Sequence, residues 1–402
     1  MNALSLTQSL TQSPSQTPAE LDLEAFIQLR RDIHQNPELG AHTPLTAELV
    51  ASKLEEWGYE VHRGIGGHGV VGVLRRGSGT RRLGLRADMD ALPMQENNRF
   101  AHASRIDGRM HACGHDGHTA ILLAAAWRIA RSPDFNGTLN LIFQPDEEGL
   151  GGAKAMMDDG LFTRFPCDAI FALHNLPGIP LGTAVVQAGP TMASSECVRV
   201  LIKGRGGHGA MPERSVDPVP VLASLISAIQ TVKSRNLCVD EHAVISIGMV
   251  EAGTVYNIIP DTASMLISVR TDTAQTEGKI NQRLAEIAQG HEFTFGVKIE
   301  LETTQLAPAL VNTATETELL RQSLTPLFEP GHLLPHAAKI MATEDFAWML
   351  TEVPGCYFFL GNGEGEFHGC SVHNPHYDFN DELIRIGSEC WLKLVMDYLP
   401  SR

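Results

Sequence analysis

Met110-His111-Ala112-Cys113-Gly114-His115-Asp116-Gly117-His118 runs directly into an apolar stretch, Thr119 to Ala130, spaced like a buried helix. A cysteine, an aspartate and three histidines ahead of such a helix put ligand-type side chains at the mouth of a sheet, where open α/β folds carry their sites. Upstream, helical spacing runs from Leu21 to about His34 and from Pro44 to Trp57, stopped at Gly58. Strand-like runs follow at Val70–Leu74 and Leu83–Arg86. Downstream come a strand at Thr138–Phe143, a small-residue helix from Gly152 to Met157 and a buried strand at Ala169–Leu173. Strands alternating with helices predict an α/β fold: a mostly parallel sheet with helices on both faces.

The pattern changes near Gln187–Ser195. It becomes strand (Val198–Ile202), helix (Pro220–Val232), strand (Ala243–Val250), strand (Ala263–Arg270), helix (Glu277–Ala288) and strand (Val297–Leu301). Two βαβ-like halves with antiparallel pairing predict an inserted α+β sandwich, ferredoxin-like, over 190–304. After Pro308 the first pattern resumes, with a helix at Glu344–Leu350, a strand at Cys356–Leu360 and a long helix from Asp381. Residues 21–189 and 305–402 therefore read as one catalytic domain. Residues 1–20, rich in Ser, Thr, Gln and Pro, have neither a basic start nor an apolar block. They read as a disordered arm, not a signal peptide.

Composition narrows the function. The 402 residues carry a formal net charge of -16, which disfavours nucleic acid and anionic membranes as partners. It leaves room for a small anionic substrate held by one local arginine. No stretch approaches the roughly 18 apolar residues of a membrane span. Seven cysteines without a paired framework point to a reducing, cytoplasmic setting.

Three further elements complete the chemistry of the opening stretch. They are Gln144-Pro145-Asp146-Glu147-Glu148-Gly149, His174 after a buried strand, and His373 in Val372-His373-Asn374-Pro375. A cysteine, histidines and a paired carboxylate make the ligand set of a two-metal hydrolytic centre. Cys113 and His115 are two apart, so in an extended segment both face one cavity. Glu147 and Glu148 are adjacent at a strand end and diverge: one ligates, the other faces the attacking water as general base. His111 and His118 compete with His115 for the ligand position. His111 could also face the cavity, and His118 could merely cap or pack against the helix. Taken singly, each residue has an ordinary reading as a loop histidine or solvated acid; their joint occurrence at strand ends carries the argument. Gly64–Gly69 and Gly204–Gly209 match a dinucleotide-binding pattern, but neither opens a helix after a strand.

At these residues the chain resembles the M20 metallopeptidase clan, in its amidohydrolase branch of aminoacylase, hippurate hydrolase and auxin-conjugate hydrolase types. The resemblance runs from about Leu21 to the C-terminus. Besides the stretches already quoted it rests on Arg30-Arg31-Asp32-Ile33-His34-Gln35-Asn36-Pro37-Glu38-Leu39, Arg86-Ala87-Asp88-Met89-Asp90-Ala91-Leu92-Pro93, Gly206-Gly207-His208, Thr343-Glu344-Asp345-Phe346 and His373-Asn374-Pro375-His376-Tyr377-Asp378-Phe379-Asn380-Asp381. It implies Cys113 as a ligand bridging two divalent ions (zinc, manganese, cobalt or nickel). His115 and His174 would complete one site, Glu148 and His373 the other. It settles His115 over its neighbours, makes Glu147 the general base and makes Asp88 the carboxylate behind a metal histidine. The inserted domain resembles the family's lid and dimerisation domain. There His208 would polarise the scissile carbonyl, and Asn257 and Arg270 would hold the substrate carboxylate. The implied partners are an N-acyl amino acid substrate and a second copy of the chain, as a homodimer or higher oligomer through the lid. The implied reaction is amide hydrolysis of N-acyl amino acids or related conjugates by a metal-bridged water. Asp146 departs from the family pattern, which has a small residue there, and so does Gly209, where alanine is common. Asp146 is the one hint of a dipeptidase or aminopeptidase, which needs an acid for a free α-amino group. A metal-binding protein that has lost catalysis is the third reading, disfavoured because every ligand and the base remain.

Overall fold

The computed structural model describes residues 21–132, 135–336 and 340–401. The expected arm over 1–20 lies outside them. Helix α1 (Leu23–Gln35) starts at Asp22, whose carboxylate accepts the Ala25 N–H. Helix α2 (Pro44–Glu56) opens on proline and closes against Gly58, whose φ of 86° only glycine adopts freely. Strands β1 (Glu60–Ile65), β2 (Gly69–Arg76) and β3 (Arg82–Asp88) follow, then α3 (His115–Arg131), β4 (Gly137–Gln144) and β5 (Ala169–Pro177). The chain next builds a separate sheet from β6 (Ser195–Lys203), β7 (Ala243–Ala252), β8 (Thr262–Thr271) and β9 (Lys298–Ala307), with helices α4 (Pro218–Asn236) and α5 (Ala274–Phe295). It returns as β10 (Gly355–Gly363) and α6 (Glu382–Tyr398).

The main sheet has eight strands in the order β1-β2-β4-β3-β5-β10, followed by the short strands Ala184–Val185 and Leu333–Leu334. Its centre, β4-β3-β5-β10, is parallel, and β1 and β2 add antiparallel pairs at one edge. The central strands are buried on both faces, as parallel strands under crossover helices must be. Alternation along β4 sends Leu139, Leu141 and Phe143 to a core shared with α1, α2, α3 and α6. Ile142 instead joins Met156, Phe346 and Met349 in a second core on the opposite face. Strand β1 escaped the sequence reading. It is an edge strand whose Glu60, His62 and Arg63 break the apolar alternation that betrays the others.

The second sheet is antiparallel throughout in the order β7-β8-β6-β9. In chain order that is second, third, first, fourth, the ferredoxin-like arrangement expected. Val198, Val200, Ile202, Met265, Ile267 and Val269 alternate inward against Leu225, Ile229 and Leu284 of α4 and α5. Both helices outrun the expected spans because their terminal turns are polar or exposed and add nothing to the buried stripe. Asp217 and Thr273 cap them at the start, and Gly296 at φ 70° ends α5. No helix among the described residues is long and apolar enough to cross a membrane.

Candidate metal centre

The C-terminal ends of β3, β4 and β5 and the loop before α6 converge on one point. The Cys113 loop differs from the extended segment expected. Gly114 turns left-handed at φ 99°, and His115 is already the first residue of α3. Helix α3 therefore begins four residues before Thr119, and that turn, not a two-residue alternation, brings Cys113 and His115 to one cluster.

After β4 the chain makes a tight turn in which Asp146 and Leu150 both take positive φ. The Asp90 carboxylate accepts the N–H of Glu147 at 3.0 Å and of Glu148 at 3.1 Å, fixing how the two side chains splay. His174 comes from β5, in register with Phe359 of β10. Its Nδ1 donates to the Asn175 carbonyl at 2.6 Å, which leaves Nε2 unprotonated and able to act as a ligand. His373 sits at φ 60°, its N–H held by the Ala112 carbonyl at 2.8 Å.

Cys113 Sγ lies 3.3 Å from His174 Nε2, and Glu148 Oε1 lies 3.3 Å from His373 Nε2. The donor atoms of Cys113, His115 and His174 fall within 4.8 Å of one another, and so do those of Cys113, Glu148 and His373. Two triads thus share one sulfur. Glu147 Oε2 stands 3.8 Å from His115 Nε2. Burial pushes the Cys113 thiol well above its ordinary value, and Glu148 adds to the push. The thiol keeps its proton until a cation takes its place. Burial, reinforced by Glu344, raises the Glu147 carboxyl well above the usual carboxylate range, the direction that suits a general base. Both ring nitrogens of buried His115 lack a hydrogen-bond partner. An imidazole of that kind, beside a thiol, a second imidazole and a carboxylate, fits a divalent transition metal.

Asp88 does not take the place expected of it. Its Oδ1 lies 2.7 Å from His118 Nδ1, and its Oδ2 is 3.9 Å from His115 Nε2. Asp90 is the carboxylate behind that ring, 3.4 Å from Nδ1. Asp88 ends β3 and points inward to the buried Arg86 guanidinium at 2.7 Å, which also holds Glu344 at 2.9 Å and Asp345 at 3.2 Å. Charge-paired burial of this kind fixes a framework behind the ligands. His111 is buried with both ring nitrogens unpartnered and is pushed down to about 3 by burial, so it stays neutral.

A cavity of about 140 Å³ opens over the cluster, lined by Cys113, Glu147, Glu148, His174 and His373 together with Thr343, Glu344 and apolar side chains. Arg270, at the end of β8, reaches its rim through Nη1 to Thr343 Oγ1 at 2.5 Å. His208 and Asn257 do not line it. Both are exposed on the second sheet's side of the molecule and lie side by side, the Asn257 carbonyl accepting the Gly209 N–H at 2.9 Å. Asp146 also stays outside the cavity, its carboxylate against Gly40, Gly149 and Gly151.

The model of peptidase family M20/M25/M40 matches residues 84–397. The chain is 42% identical to a hippurate hydrolase of Campylobacter jejuni over 94% of this chain and 98% of that one. It is 34% identical to an N-acetylcysteine deacetylase of Bacillus subtilis, over 93% and 97%. Among solved structures, a Bacillus subtilis protein described as a dinuclear metal-binding peptidase of the M20 family superposes with a TM-score of 0.82 at 30% identity, covering 94% of this chain and 99% of that one.

Proposed function

The chain belongs to peptidase family M20/M25/M40 and is a metal-dependent amidohydrolase, and from that premise we propose which residues do its work. It cleaves the amide bond of N-acyl amino acids or related conjugates to a carboxylic acid and a free amino acid. Cys113, His115 and His174 would hold one divalent ion, and Cys113, Glu148 and His373 would hold the second. Zinc, manganese, cobalt and nickel all suit this donor set. The observation that carries the reading is the pair of triads sharing one sulfur, with an unligated buried carboxylate, Glu147, beside them.

When bound, the ions supply Lewis acidity, polarising the scissile carbonyl and lowering the pKa of the attacking water. Glu147 takes the proton of that water as its oxygen bonds to the acyl carbon. The same carboxyl then passes the proton to the leaving nitrogen as the C–N bond breaks. Arg270, at the rim, holds the amino-acid carboxylate, with Asn257. His208 donates to the developing oxyanion. Residues 190–304 act as a lid on the domain formed by 21–189 and 305–402, and lid closure or a second copy brings His208 and Asn257 to the cavity. The exposed edge strand β7, with Val244, Met249 and Val250 outward, supports pairing between two copies as a homodimer. Asp146, turned away from the cavity, offers nothing to a free α-amino group, which favours acylated substrates over dipeptides.

The test is Glu147→Gln in metal-reconstituted protein. Turnover of N-acyl amino acids is expected to fall by at least roughly a thousandfold with metal content unchanged. Retained turnover removes Glu147 from the role.

A further inference from the structure

We propose that Glu344 is a further catalytic residue of the hydrolysis: its carboxylate accepts the N–H of the scissile amide and so turns the nitrogen lone pair toward Glu147. This rests on the amidohydrolase reading above and names the group that recognises the leaving nitrogen.

Glu344 is buried, yet it lines the cavity beside Glu147. An oxygen of each lies within 4.8 Å of the other. A carboxylate offers about four acceptor sites. Glu344 Oε1 accepts from Arg86 Nη2 and from the Phe346 N–H, each at 2.9 Å. Oε2 accepts from Tyr357 Oη at 2.6 Å. Among the described residues no second donor reaches Oε2, so one acceptor site on that oxygen is open. Three fixed donors keep the carboxylate from rotating, and an acceptor held in place needs no reorganisation when a donor arrives.

The order of groups in the substrate matches the order of residues in the chain. An N-acyl amino acid runs acyl carbonyl, nitrogen, α-carbon, carboxylate. In the proposed binding mode the carbonyl lies at the ligand cluster and the carboxylate at Arg270, which reaches Thr343 Oγ1. The nitrogen falls between them. Glu344 follows Thr343 directly and stands next to Glu147. Proton delivery by Glu147 requires the nitrogen lone pair, not the hydrogen, to face it. An acceptor for the N–H imposes that orientation. The oxygen of water then bonds to the acyl carbon, and one water proton passes through Glu147 to the nitrogen. The C–N electron pair stays on the nitrogen. The amine leaves neutral with two hydrogens, its own on Glu344 and the one delivered by Glu147, and the second water proton stays with the acid.

The experiment compares an amide with its ester counterpart, N-benzoylglycine with O-benzoylglycolate, on the metal-reconstituted full chain. The ester carries no N–H. In Glu344→Gln the amide oxygen takes the Oε1 place, where two donors meet, and the NH₂ takes the Oε2 place. The open acceptor becomes a donor, which opposes an N–H and suits an ester oxygen. The amide-to-ester ratio of kcat/KM should therefore fall by roughly 10- to 100-fold, with the loss in kcat because the lone pair matters as the C–N bond breaks. Tyr357→Phe disturbs the same carboxylate but leaves the acceptor, and its ratio should stay within about threefold of wild type. A Glu344→Gln variant that loses amide and ester turnover equally, or a Tyr357→Phe variant that shifts the ratio as far, overturns the assignment. A second measurement needs no variant: wild type should cleave N-benzoylsarcosine, with a methyl in place of the N–H, at least roughly a hundredfold more slowly than N-benzoylglycine, and equal rates overturn the assignment. A metal-loaded wild type that cleaves no N-acyl amino acid overturns the amidohydrolase reading itself, and this role with it.

Discussion

Gly114 shows how much of the site depends on one backbone angle. A Cβ at this position would stand 2.2 Å from Asn175 Oδ1 and 2.7 Å from Tyr377 Oη, on a residue already at φ 99°. Gly114→Ala is therefore expected to cost at least about 1–3 kcal/mol of strain and to pull Cys113 and His115 apart. Chemical denaturation and metal titration check both effects, and a variant with normal stability and metal affinity contradicts the assignment. Asp90 sets a second test. It holds two backbone N–H groups and backs His115, so Asp90→Ala should weaken metal binding by roughly 10- to 100-fold, read by competition with a chelator. Unchanged affinity would leave Asp90 as a turn residue only. At this scale the sequence was legible where side chains are chemically rare: a thiol, histidines and an acid pair. It failed between Asp88 and Asp90, which share the same alternation. Only the point where β3 ends, with Arg86 drawing Asp88 inward, separates them.

Helix α1 carries a part of the motif that the proposed chemistry does not use. Buried Arg30 reaches Asp378 and Asp381, each at 3.0 Å, while His34 Nδ1 lies 2.8 Å from Asp116 in the first turn of α3. The helix thus clamps the turn bearing His115 to the segment following His373. Burial alone would lower His34, but Asp116 and Glu96 outweigh it and hold the ring up at about 9, above the ordinary 6.5. A raised histidine stabilises the fold fully below pH 6.5 and loses that contribution as pH rises through 9, a change on the order of 3 kcal/mol. The stability gap between wild type and His34→Gln should shrink between pH 6 and pH 10 in urea titrations; a constant gap contradicts the pairing. Elements with strong periodicity, such as α4 and β8, were readable from spacing. Strand β1 and the first turn of α3 were not, because charge at an edge and a polar opening turn carry no apolar period.

At the scale of the whole molecule, the main sheet carries the ligand cluster and the second sheet carries Arg270 at the end of β8. Arg270 touches the rim of the cavity, whereas His208 and Asn257 remain outside it. His208→Ala is nevertheless expected to reduce kcat by roughly 10²- to 10³-fold with the metal content intact. An unaffected kcat would remove His208 from the chemistry. The two sheets could be told apart in the sequence because the strand pattern changes from buried runs to strict alternation after Gln187. How one sheet sits relative to the other could not, since a contact between two separately packed cores leaves no periodic trace in either. The sharpest trial of the two shared-sulfur triads is the metal stoichiometry of reconstituted protein, wild type against Cys113→Ala. Two ions per chain falling to none or one in the variant is the expected result; a wild type holding a single ion, or a variant that keeps two, contradicts the centre described here.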